Sequence, residues 1–100
     1  MAHHRVWQFR PPAGSEEAFA AAYAGDGPWA KLFARDPGFV ATRLLRPAAP
    51  GGWWLTIDSW ASVDSFARFQ ADHGEAYRAL DRELDGVAGD EGFIGVFEDA

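Results

Sequence analysis

A chain of 100 residues without cysteine has length for one domain, and it excludes a disulfide framework, a thiolate nucleophile and a cysteine metal site. Nine Lys and Arg against fifteen Asp and Glu leave a net charge of −6 and no basic stripe, so nucleic acid is not an expected partner. With 48% hydrophobic residues the chain folds, and with no apolar run of membrane-spanning length and no signal peptide it is expected to be cytoplasmic and to have no membrane partner.

Arg5 to Arg10 alternates β-formers and stops at Pro11-Pro12, which predicts a first strand. His3 and His4 precede it at a terminus expected to fray and lack a third ligand, so no metal site is expected. Ser15 before Glu16-Glu17 predicts a capped helix that carries Phe19 and Tyr23 and ends near Gly25. Pro28 opens a short second helix with Trp29, Leu32 and Phe33 on one face, broken by Asp36-Pro37-Gly38. Phe39 to Arg46 and Trp53 to Trp60 read as two strands around a Pro- and Gly-rich turn. Ser62 starts a long helix whose stripe includes Phe66, Phe69, His73, Tyr77, Leu80 and Leu84, with Gly74 expected to bend or split it. Gly92 to Phe97 is the last strand.

The order strand, helix with an annex, strand, strand, helix, strand is the split βαβ pattern of an α+β, ferredoxin-like domain. Two right-handed crossovers put the sheet in the order 4-1-3-2 with the helices on one face. The third strand points Trp53, Leu55 and Ile57 one way and Trp54, Thr56, Asp58 and Trp60 the other. Helices cover one face, and fifteen aromatics are many for so small a domain, so a second copy is expected to cover the other. Asp58 would need a partner if buried, with Arg43 or Arg46 of the neighbouring strand the expected one.

Three runs carry a resemblance: Ala24-Gly25-Asp26-Gly27-Pro28-Trp29-Ala30-Lys31-Leu32-Phe33, then Pro37-Gly38-Phe39-Val40-Ala41-Thr42, then Leu55-Thr56-Ile57-Asp58-Ser59-Trp60-Ala61-Ser62. Together they resemble the antibiotic biosynthesis monooxygenase family of dimeric α+β barrels, and the likeness spans nearly the whole chain. It implies a homodimer with a pocket between sheet and helices in each copy. Some members oxygenate aromatic polyketides with O2 without metal or flavin, and others cleave haem. Where the haem-cleaving branch has Asn on the first strand and Trp and His on the last helix, this chain has Gln8, Phe69 and Ala79, which disfavours that activity. The polyketide oxygenases' pocket Trp matches Trp60, while their Asn on the same face is Thr56 here.

The expected function is therefore monooxygenation of an aromatic, phenolic or polyketide-like molecule with no cofactor. His73 is the expected base, Tyr77 and Trp60 the donors to a developing oxyanion, and Phe19, Tyr23, Trp29, Thr56, Phe66 and Phe69 the pocket. Each of these side chains has packing as its alternative role, with Trp60 favoured as core. Asp81 and its charged neighbours read as the solvated side of the last helix. A non-catalytic barrel that binds or regulates is the competing function.

Overall fold

The computed structural model describes residues 1–100. The chain runs β1 (His3–Arg10), α1 (Glu16–Tyr23), α2 (Pro28–Phe33), β2 (Phe39–Leu45), β3 (Trp54–Trp60), α3 (Val63–Ala88) and β4 (Asp90–Glu98). All strand pairs are antiparallel in the order β2-β3-β1-β4, the expected ferredoxin-like order, with the helices on one face. No helix is long and apolar enough to cross a membrane.

Local chemistry explains most of the boundaries. Pro28 sits in the first turn of α2, where its missing N–H costs nothing. Ser62 caps α3 by accepting the Ser65 N–H at 3.1 Å. Ser15 makes no such bond; the Glu16 carboxylate accepts the Gly14 N–H of the preceding turn at 3.0 Å, and Glu16 and Glu17 place negative charge in the first turn of α1. α3 is distorted at His73, whose φ of −127° and ψ of 19° leave the helical region one residue before Gly74. It ends at Gly89, with φ of +65°, where a Cβ would press on the Arg10 carbonyl and on Pro11 and Pro12.

The histidines expected to fray belong to β1. His3 is buried and stacks on Phe66 at 5.7 Å, while His4 shares hydrogen bonds with Ser59 Oγ at 2.7 Å and Asp99 Oδ1 at 2.8 Å. Pairing of β1 with both β3 and β4 holds this segment in place.

The aromatic surplus is resolved differently from the expectation. Phe9, Phe19, Tyr23, Trp29, Phe33, Trp54, Trp60 and Phe69, eight of the fifteen, are buried within one copy. They achieve this by stacked, tilted and edge-on packing: Phe19 stacks on Tyr23 at 4.5 Å and lies 5.3 Å from both Phe9 and Trp54, and Trp60 lies 5.2 Å from both Phe39 and Phe69. By strand alternation only Trp53 and Phe97 stand on the outward sheet face. That face mixes aliphatic and polar residues instead, with Val6 and Arg43 beside Ile57 and Gln8 and Leu45 beside Leu55.

Asp36 ties the two ends of the helical layer together. Its buried carboxylate accepts Arg68 Nε at 2.8 Å, Arg68 Nη2 at 2.7 Å and the Gly38 N–H at 2.8 Å, which holds it down to about 2. Gly38 has no room for a Cβ, because the Ser65 side chain occupies that space.

Candidate functional site

Strand register builds the site floor. Arg5, Asp58 and Thr42 form one cross-strand row on the helix-facing side, and Trp7, Thr56 and Leu44 form the next. Above them α1, α2 and α3 leave a cavity of about 110 Å³. An apolar cavity of roughly 150 Å³ accepts benzene, so this space is somewhat tighter than one whole ring needs, and a bound ring extends in part through the mouth. Trp7, Phe9, Tyr23, Trp29, Phe33 and Tyr77 make the apolar wall, and Thr42, Thr56, Asp58, Asp81 and Glu91 supply the polar groups. Asp81 and Glu91 are exposed and lie at the mouth, whereas Asp58 is largely withdrawn from water.

Asp58 is the unusual group. The Thr42 hydroxyl donates to its Oδ1 at 2.7 Å, and no cation forms an ion pair with it. Arg43 pairs with Ile57 in the ladder and so faces away, and Arg46 lies 4.5 Å over the Trp54 ring, which corrects both expected partners. Arg5 acts only at a distance, because its guanidinium rests over Phe66 at 4.0 Å and Phe93 at 4.8 Å. Burial therefore outweighs the Thr42 bond and the Arg5 charge, and the carboxyl is pushed up to about 6. Burial also raises both Tyr77 and Tyr23, aided by Asp81 and Glu91, so the two phenols stay protonated and can donate.

The structure brings Tyr77, Tyr23, Trp29 and Thr56 to this cavity. Trp60, Phe19 and Phe69 are fully buried behind its wall and do not line it. Phe66 lies between His3 and the Arg5 guanidinium, also outside it. His73 is not brought there either. It lines a polar surface depression with Arg35, Asp72 and Arg78, its ring 5.5 Å from Phe69, because the distortion at residue 73 breaks the four-residue register that would have aligned it with Tyr77. Asp58, Thr42, Trp7, Phe9, Phe33, Asp81 and Glu91 are the lining residues that sequence reasoning did not assign. Two signals pointed to some of them: Trp7 and Phe9 share a strand face, and Asp81 follows Tyr77 by one helical turn. No three His, Asp or Glu side chains cluster closely enough to hold a metal ion.

Comparison with known proteins places this arrangement. SnoaB from Streptomyces nogalater, a cofactor-independent oxygenase, is 28% identical, with 99% of this chain and 93% of that one covered at a TM-score of 0.66. MhuD, solved with two manganese protoporphyrin IX per active site, shares the fold at 24% identity, 97% and 93% coverage and a TM-score of 0.67. PA3566 from Pseudomonas aeruginosa shares it at 12% identity, 99% and 94% coverage and a TM-score of 0.69. No curated protein sequence matches the chain. The family model for antibiotic biosynthesis monooxygenase matches residues 2–79. The chain therefore belongs to the antibiotic biosynthesis monooxygenase family.

Proposed function

We propose that this chain is a cofactor-independent monooxygenase that oxidises an aromatic, phenolic or polyketide-like small molecule with O2, and that Asp58 is its base. The observation that carries the reading is a carboxyl raised to about 6 in an aromatic-walled cavity with a single hydroxyl partner. The likeness to SnoaB, a cofactor-independent oxygenase, supports the reaction class.

The substrate itself must supply electrons to O2, which only an electron-rich anion does readily. Asp58 takes a proton from an activated CH2 or hydroxyl of the bound ring. The resulting anion passes one electron to O2, and the two radicals combine as a peroxide carried by the substrate. That peroxide takes up a proton; at a former CH2 group, or at a ring C–H ortho or para to the phenol oxygen, it then loses water to leave a carbonyl, so one oxygen atom ends in product and one in water. Tyr77 lines the cavity and stays protonated, which supports it as donor to the oxyanion of the first step, with Trp7 and Trp29 as apolar walls around it.

Oxygen uptake with a panel of anthrones and simple phenols, in the presence of a metal chelator, tests this. Uptake with one atom of labelled dioxygen in the product is expected. Ligand-dependent quenching of Trp fluorescence with no uptake across the panel would favour a non-catalytic binding barrel.

The functional unit in this reading is a homodimer joined through the outward sheet face, where Val6, Leu45, Leu55 and Ile57 form an apolar centre between Gln8 and Arg43. Light scattering at micromolar concentration is expected to read a dimer, and a monomer would contradict that assembly.

A further inference from the structure

We infer that the cavity is built for a cationic ligand: an aromatic ring enters it while a protonated amine stays at the mouth. The inference names the substrate class of the oxygenase reading and rests on it only for the word substrate, since the charge preference belongs to the cavity itself.

Three carboxylates, Asp58, Asp81 and Glu91, line the cavity, and no lysine or arginine does. Neither Asp81 nor Glu91 takes part in an ion pair. Asp81 and Asp85 crowd Glu91, and their charges reinforce its burial in raising it. The charges of Asp81 and Glu91 also bear on the Tyr23 and Tyr77 hydroxyls, so the negative potential extends into the cavity from the mouth. Arg5, the cation that bears on Asp58, is engaged over Phe66 and Phe93.

The aromatic wall adds a second attraction of the same sign. Ring faces attract cations, most strongly Trp, and Trp7 and Trp29 both stand in the wall with Tyr77. Trp29 is 6% exposed, and its indole N–H acts on the Tyr23 hydroxyl, so what it offers a ligand is its ring. An aromatic acid or a phosphate ester meets unpaired carboxylates at the mouth and is repelled. A phenolic amine matches these groups: ring against rings, phenol oxygen near Asp58, ammonium against Asp81 and Glu91. The bound cation would also stabilise the anion that deprotonation creates.

The test uses three ligands of nearly one shape, measured without oxygen by calorimetry: tyramine, neutral para-propylphenol and anionic para-hydroxyphenylpropionate. Tyramine is expected to bind about tenfold tighter than para-propylphenol, with the anion weaker still. In the double variant Asp81→Asn, Glu91→Gln, whose side chains are exposed and leave the core untouched, the three affinities should fall within about threefold of one another. Equal or tighter binding of para-propylphenol, a preference for tyramine that survives in the double variant, or no binding of any ligand in the millimolar range would overturn the inference. Oxygen uptake with para-propylphenol alone would leave the oxygenase reading standing and the charge inference refuted. Tight tyramine binding with no uptake from any panel member would do the reverse.

Discussion

Asp58→Asn should lower oxygen uptake by about two orders of magnitude or more while ligand binding persists, because the amide keeps the shape and loses the basicity. In the wild-type chain the rate should rise with pH through about 6 as the carboxylate forms, and the variant should lack that limb. The same exchange should make the protein more stable. With its folded value raised from 3.8 to about 6, Asp58 holds a proton between those pH values that the unfolded chain has lost. Stability therefore falls as pH rises through that window and stays at the lower level above it. The penalty at neutral pH is at most about 3 kcal/mol, and an asparagine that still accepts from Thr42 avoids it. A variant that melts several degrees higher and turns over poorly identifies a charge kept for chemistry. A variant that melts lower with unchanged uptake would mean that Asp58 is structural.

Trp60→Ala should cost about 3 to 5 kcal/mol, a large part of the roughly 5 to 15 kcal/mol that holds a domain folded. The ring is 0% exposed and packs against Phe33, Phe39, Phe66 and Phe69, so its loss opens the centre of the core. Trp60→Phe separates packing from chemistry. It keeps an aromatic ring and removes a buried indole N–H that has no partner, which offsets part of the lost contact. Chemical denaturation should show a cost of about 1 kcal/mol, and oxygen uptake should stay within severalfold of wild type. Loss of uptake on the scale expected for Asp58→Asn would return Trp60 to the reaction as a donor.

The strands and helices were legible because their signals are local. Pro11-Pro12, Pro28 and Ser62 act on the backbone beside them, and the helix that follows each of the last two begins where expected. Sheet order followed from the handedness of the crossovers, which needs no side-chain detail. The site was less legible because it depends on relations between distant residues. Thr42 reaches Asp58 only through the β2 to β3 register, and a bulge between Phe39 and Ala41 sets that register. An ideal helical stripe places His73 with Tyr77, and the non-helical geometry at residue 73 undoes this in a way that periodicity cannot express. The aromatic count was read as an excess over what one copy could bury. Stacked, tilted and edge-on packing let thirteen rings share the helix-facing side, which left the outward face mostly to aliphatic and polar residues.

The most direct measurement is the titration of the Asp58 carboxyl itself, followed by carbon NMR in the wild-type chain with Asp58→Asn as the assignment control. A midpoint near 6 is expected, well above the ordinary 3.8. A midpoint at the ordinary value would show a solvated carboxylate with too little basicity for the proton transfer, and would contradict Asp58 as the base of this site.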